Sequence, residues 1–186
     1  MIRQVTKTPD PKSISTYLDY LKRRILGNAI VHQETMPPRP QRLTTDLSHL
    51  PPEIGRILKA AGIPALYTHQ AEGIEKILNG QNVVVATPTA SGKTLVYNAP
   101  IITSLLQDPD GHALYIFPLK ALEQDQFDEL EGLLERLDST LNTAIYDGDT
   151  SAHQRKKIKA SPPHILITTP DMLHAGILAF HEQWAG

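Results

Sequence analysis

The sequence contains no cysteine, which excludes a disulfide framework, a cysteine-based zinc or iron–sulfur site and a thiol nucleophile. Such staples are not needed here, because 186 residues with 40% hydrophobic content are enough to fill one core. Charge of one sign is lacking as well: 18 Lys and Arg stand against 20 Asp and Glu, for a formal net charge of −2. An overall basic coat is thereby excluded, and any nucleic-acid contact has to be local. Long apolar runs are absent, since the most apolar windows are cut by Pro100, Pro118, Pro163 or Pro170 and fall short of the roughly 18 apolar residues that span a membrane. The leading residues MIRQVTKTPDPK are polar and carry no apolar run behind a basic region, unlike a secretory signal. A cytoplasmic protein without membrane contact is the expectation.

Proline, in contrast, is plentiful at 15 residues, with a cluster at Pro37, Pro38, Pro40, Pro51 and Pro52. Ahead of it, Ile14, Leu18, Leu21 and Ile25 recur every three or four residues, which puts them on one face of a helix over 14–26. The expected division is therefore an N-terminal helix and proline-rich extended connector over 1–51, followed by a compact domain over 52–186. Ile54, Ile57, Leu58 and Ala61 predict a short helix stopped by Gly62, and His69 to Leu78 predict another stopped by Asn79-Gly80. The period then changes. Val83-Val84-Val85-Ala86 is a β-branched run of the kind found in strands buried on both faces. Ala113–Phe117, Thr143–Tyr146 and Ile165–Thr168 repeat that pattern, separated by helical stretches at 93–106, 119–137 and 152–158. Strands alternating with helices predict an α/β fold with a mostly parallel sheet covered on both faces.

Directly after the first apolar run stands Thr87-Pro88-Thr89-Ala90-Ser91-Gly92-Lys93-Thr94, and the apolar helix 95–106 follows. Strand, small-residue loop, Gly-Lys-Thr and helix make a phosphate-binding loop in its required context. The chemistry is anion capture, in which unsatisfied N–H groups at a helix N-terminus converge on a phosphate and the helix dipole adds to them. Lys93 would reach the β- and γ-phosphates, and Thr94 would offer its hydroxyl to Mg²⁺. The usual first glycine of this motif is Thr87 here, and Pro88 has no N–H to give. Upstream, Leu66-Tyr67-Thr68-His69-Gln70 places a glutamine 23 residues before Lys93. Its amide donates and accepts together, which matches the N6/N7 edge of adenine.

These motifs resemble the first RecA-like lobe of superfamily 2 DExH/DEAD-box helicases, over the stretch from about Pro37 to the end. Tyr67–Gln70 is similar to the family's adenine-sensing motif, and Thr87–Thr94 to its nucleotide loop, whose first residue is commonly small but not glycine. Pro118-Leu-Lys-Ala-Leu122 resembles motif Ia, Tyr146-Asp-Gly-Asp-Thr150 the backbone-touching loop that follows, and Thr168-Thr-Pro-Asp-Met-Leu173 motif Ib. The combination is close to the mitomycin-repair-factor type of bacterial helicase, a branch with a zinc-binding C-terminal region. What the resemblance implies is a RecA-like domain that binds ATP with Mg²⁺ through Tyr67, Gln70, Thr87, Thr89, Ala90, Ser91, Gly92, Lys93 and Thr94. Lys93 and Thr94 would carry the catalytic roles. It also implies that Pro118, Lys120, Gly148, Thr150, Thr169 and Asp171 grip single-stranded nucleic acid. The repair-type branch points to DNA, whereas contacts to phosphate alone do not report a 2′-hydroxyl.

An ATPase also needs an acidic residue to hold Mg²⁺ and a carboxylate to place the attacking water. The family supplies both in D-E-x-H, and no such motif occurs in this sequence. The expectation is a first lobe cut short before that motif, lacking the second RecA-like lobe and not hydrolytic by itself. Two other functions stay open: a small phosphotransferase in which Tyr146-Asp147 imitates an acidic magnesium site, and a non-catalytic nucleotide- or strand-binding module. Asp147–Thr150 reads equally as a turn with a helix cap at Thr150, and Arg155-Lys156-Lys157-Ile158-Lys159 reads as a solvated face in preference to a backbone clamp. His153, His164, His174 and His181 have no partners at ligand spacing, so no metal cluster is expected.

Overall fold

The computed structural model describes residues 14–32, 34, 40–88, 91–137 and 139–184, and the chain divides into two units, Met1–Pro40 and Gln41–Gly186. In the first unit, helix α1 (Ile14–Leu21) continues through a wide turn at Lys22–Leu26 and a tight one at Gly27–Ala29. Its apolar stripe is laid out as the three-to-four spacing predicts, but none of its residues is buried and Ile14 is 80% exposed. Pro37 and Pro38 of the expected connector lie outside the described residues.

The second unit takes in Gln41–Leu50 as well as the stretch from Pro52 onward. Leu43–Thr44 (β1) pairs antiparallel with Leu66–Tyr67 (β2), and Leu47 and Leu50 pack into the core. Helix α2 (Pro52–Ala60) opens on proline, whose missing N–H costs nothing in a first helical turn, and buries Ile54, Ile57 and Leu58. Helix α3 (Thr68–Leu78) lies against α4 (Lys93–Gln107). The two approach closely at Gly73, where an added Cβ would stand 2.6 Å from Val96 Cγ1, so only glycine fits without displacing α4.

The remaining chain alternates strand and helix as the β-branched runs predict: β3 (Ala113–Ile116), α5 (Lys120–Leu134), β4 (Thr143–Tyr146), α6 (Ala152–Ala160) and β5 (Ile165–Thr168). The three strands form a parallel sheet in the order β3-β5-β4. In register, Tyr115, Ile167 and Ile145 form one row, and Leu114, Leu166 and Ala144 the next. As the middle strand, β5 is buried along its whole length, which suits the unbroken apolar run Ile165-Leu166-Ile167. Ile165, Ile167, Tyr115, Leu130, Leu134, Ile102 and Ile74 make the core with Leu58 and Leu66. Each such side chain contributes about 1.5–3 kcal/mol when fully buried.

One expectation is corrected. Val83–Ala86 forms no strand; it runs without ladder partners, with Val84 94% exposed and Val83 and Val85 only half-buried. A β-branched run becomes a strand only when a neighbour accepts its N–H groups and covers its faces. Among the described residues nothing pairs with this run. The sheet stops at β3, whose Leu114 and Ile116 are 46% and 45% exposed on the open face.

Candidate functional site

The loop that follows the unpaired run enters α4 at Gly92, the residue before the first helical turn, with φ of 72° and ψ of 33°. This left-handed geometry favours glycine, and space enforces the choice, because a Cβ at Gly92 would lie 2.4 Å from Gln70 Nε2. Lys93, in the first helical turn, folds its ammonium back over the loop and donates to the carbonyls of Thr87 at 2.7 Å and Pro88 at 2.8 Å. Thr87 and Ser91 share a hydroxyl–hydroxyl hydrogen bond across the loop. Thr94 sits one residue further into α4, half-buried. Thr89 and Ala90, both expected in the phosphate cradle, lie outside the described residues.

A second element grips the loop from α3. Gln70 is buried, and its amide is committed at both ends: Oε1 accepts from Tyr67 N at 2.8 Å, and Nε2 donates to the Gly92 carbonyl at 2.8 Å. One residue earlier, His69 Nε2 lies 3.2 Å from the Ser91 carbonyl. That oxygen only accepts, so the bond needs the proton on Nε2. The rings of Tyr67 and His69 stack, with centroids 5.6 Å apart and planes 15° from parallel. Tyr67, Gln70, Ser91, Gly92 and Lys93 are thus brought together by two helix N-termini held side by side.

The other expected residues gather at the carboxyl ends of the parallel strands, where open α/β sheets bind ligands. Pro118 and Lys120 precede and begin α5, Gly148 and Thr150 follow β4, and Thr169 and Asp171 follow β5. Asp147, 9% exposed, organises the middle turn: its Oδ1 accepts from the N–H groups of Asp149 and Thr150 and from the Thr150 hydroxyl, at 2.9–3.0 Å. That oxygen is committed to the turn. Lys120 ion-pairs with Asp149 at 2.7 Å and lies 3.9 Å from Asp147. Its hydrogen bond to Asp149 and the attraction of both carboxylates raise its pKa above the ordinary lysine value. Thr169 caps the short helical turn Pro170–Met172 by accepting from Met172 N at 3.2 Å, and Asp171 is exposed within that turn.

Three features escaped the sequence reading. Arg155, placed there on a solvated face, instead clamps the turn: Nε donates to the Thr150 carbonyl at 2.8 Å and an Nη to the Asp147 carbonyl at 2.9 Å, over the Tyr146 ring. The helix it belongs to starts at Ser151, not Thr150, through a reciprocal cap with Gln154; the spacing Ser-x-x-Gln was the available signal. Glu123, one turn into α5, is 1% exposed with neither carboxylate oxygen hydrogen-bonded. Burial, then the nearby Asp147, raise its pKa, while Lys120 opposes them. The third is a polar chain from α4 to α5 through Tyr97 and Gln126. Among the described residues no group of three or more acidic, histidine or cysteine side chains could hold a metal ion, and no helix is long and apolar enough to cross a membrane.

A helix entered through a left-handed glycine, with a lysine folded back over the preceding loop, stands in one chain with a parallel three-stranded sheet, and together they define an α/β domain. The DEAD/DEAH box helicase family matches residues 67–185, and the chain belongs to that family. It is 40% identical over 174 residues to the ATP-dependent helicase YprA of Bacillus subtilis (strain 168), which covers 93% of this chain and 23% of the relative. Among solved structures, the helicase MrfA bound to DNA superposes with a TM-score of 0.81 at 40% identity, over 93% of this chain and 24% of that one. MrfA bound to DNA and AMPPNP gives a TM-score of 0.76 at 42% identity, over 80% and 21%. The chain therefore spans about a quarter of the length of these relatives.

Proposed function

We propose that this chain is the ATP-binding and single-strand-binding part of an ATP-dependent helicase that acts on DNA in repair, in a cytoplasmic setting. The observation that carries the reading is the state of Lys93. Among the described residues its ammonium is held by two neutral loop carbonyls, at a helix N-terminus shaped by a left-handed glycine. A triphosphate offers that ammonium a charged partner in place of two dipoles, and the exchange favours the ligand. In this reading Lys93 meets the β- and γ-phosphates, and Thr87, Thr89, Ala90, Ser91 and Gly92 line the cradle. Gln70, beside Tyr67, turns one end of its amide from the loop to the adenine edge. Thr94 would supply one hydroxyl oxygen to Mg²⁺, which would screen the phosphate charge.

Pro118, Lys120, Gly148, Thr150, Thr169 and Asp171 form the proposed strand-binding rim. Contacts there go to phosphate and sugar, which give grip without sequence preference, as a translocating motor requires. The DNA-bound state of MrfA supports DNA as the nucleic acid. Strand separation and hydrolysis belong to the whole helicase, together with a second RecA-like lobe.

Titration with a fluorescent ATP analogue in the presence of Mg²⁺ tests the nucleotide half. Lys93→Ala is expected to weaken binding tenfold or more and Gln70→Ala severalfold. Unchanged affinity in both variants would overturn the assignment. Anisotropy of a labelled thymidine oligonucleotide tests the rim, with Lys120→Ala expected to weaken binding and to lower the salt dependence by about one phosphate contact.

A further inference from the structure

β4 is an outer strand of the sheet, and among the described residues nothing pairs with its other side. That side borders a cleft of about 760 Å³, within the roughly 300–1,000 Å³ of small-molecule pockets. The helices that wall it lie on opposite faces of β4. Thr143, on one side of the pleat, hydrogen-bonds Glu131 of α5, while Tyr146, on the other, lies under Arg155 of α6. The α5 wall is a helical stripe of Lys120, Glu123, Gln124 and Phe127, and α6 contributes Gln154 and Lys157. Thr150 lines the cleft as well, so the cleft shares Lys120 and Thr150 with the strand-binding rim.

Glu123 is the feature of this cleft that the fold leaves unexplained. It is 1% exposed, and neither carboxylate oxygen has a hydrogen-bond partner among the described residues. Buried polar groups are normally satisfied, so an acid left bare lowers stability unless something outside the chain brings donors to it. Left bare, it leans toward the protonated acid, because burial raises its pKa. Two N–H groups brought to it would favour the ionised carboxylate, whose oxygens accept side by side. Guanine carries two such donors next to each other, N1–H and N2–H, on its Watson–Crick edge. Adenine and cytosine set a donor beside an acceptor there, and thymine sets one donor between two acceptors. Unstacked bases of single strands are read on that edge and stacked on aromatic side chains. Phe127, one turn beyond Glu123, supplies a ring in the same cleft.

We propose that this cleft is a base-reading subsite beside the strand-binding rim, in which Glu123 accepts from N1–H and N2–H of one guanine in the bound strand. The proposal rests on the proposed function, which lays a single strand across Lys120 and Thr150. Lys120 also governs entry. It precedes Glu123 by three residues on the same face of α5, its side chain is 50% exposed, and a strand phosphate that draws it outward opens the way to the carboxylate. Contacts to phosphate stay indifferent to sequence, and the cleft adds a preference at one nucleotide.

The test is anisotropy with labelled thymidine oligonucleotides on the full 186-residue chain, one strand plain and the others with a single central guanine, adenine or cytosine. The wild type is expected to bind the guanine-bearing strand about fivefold or more tightly than the plain one. Inosine in place of guanine lacks the N2 amine and should remove most of that gain, a control that needs no variant. Glu123→Gln, which trades an acceptor for a donor, and Glu123→Leu should each bring the ratio of the two affinities close to one, while Glu123→Leu raises the melting temperature. A glutamate that served packing alone would leave the ratio at its wild-type value. A wild-type ratio of one, a preference for adenine or cytosine over guanine, or a guanine preference kept in Glu123→Gln would each overturn the proposal. If no oligonucleotide binds, the strand-binding rim fails and the subsite with it; if the plain strand binds and guanine adds nothing, the rim stands and only the subsite falls.

Discussion

Two lysines in this chain stand at comparable places, each at the start of a helix and each at a rim where anions are expected, yet they are held in opposite ways. Lys93 rests on the backbone carbonyls of Thr87 and Pro88. Lys120 is paired with the carboxylates of Asp149 and Asp147. A carbonyl dipole yields to a phosphate at little cost, whereas a carboxylate competes with it charge for charge. Under the proposed function, the Lys93 loop would exchange its contacts for a ligand readily, and the Lys120 rim would be guarded against weak ones. The surroundings follow the same contrast. The loop is latched by single contacts from Gln70 and His69, while the Asp147–Thr150 turn is satisfied internally and clamped by Arg155.

The sharpest way to break this contrast is at Gly92. Gly92→Ala meets a left-handed backbone, which costs a side-chain-bearing residue about 1–2 kcal/mol, and collides with Gln70 Nε2. Nucleotide titration should show near-complete loss of binding, and thermal denaturation a lower midpoint, with oligonucleotide affinity much less affected. Arg155→Ala attacks the other region. It leaves the carbonyls of Asp147 and Thr150 without their charged donor, a loss of about 1–3 kcal/mol, and should raise hydrogen exchange in residues 147–151 while sparing the nucleotide loop.

Removing the guard tests the comparison from the opposite direction. Asp149→Asn frees Lys120, so oligonucleotide binding should tighten severalfold at low salt and fall more steeply as salt rises. If affinity drops instead, Asp149 serves the ligand and not the resting state. The smallest effect is expected at Glu123. Its raised pKa means that the folded state favours the protonated acid, so its contribution to stability is full below its unfolded value of 4.5 and is lost as pH climbs through the raised one. Glu123→Leu should therefore stabilise the protein at neutral pH by about 1 kcal/mol and flatten the decline in stability above pH 4.5, readable in melting curves across that range.

Much of this was legible in the sequence wherever a single element carries its own signal. The three-to-four spacing marked α1, Asn79-Gly80 marked the end of α3, and three β-branched runs marked β3, β4 and β5. The turn into α4 was legible because Gly92, Lys93 and Thr94 fall where a helix begins. Val83–Ala86 was not, since its pattern says only that it would pair if a neighbour were at hand. Arg155 and Glu123 were misread or missed for a related reason: both lie on helices with weak amphipathicity, and what they face depends on how α5 and α6 meet β4. Gln126 and Tyr97 are 29 residues apart and share no motif, so only the packing of α4 against α5 brings them together.

The strand order has a bearing on how the chain is made. β3 and β4 emerge from the ribosome first but are not neighbours; the place between them stays vacant until β5, some twenty residues later, threads in and bonds to both. Until Thr168 is synthesised neither outer strand has its proper companion, and a long-range closure of this kind is slow relative to helix formation. Nascent chains should thus dwell with helices formed and the sheet open, a window in which a chaperone would hold them most tightly.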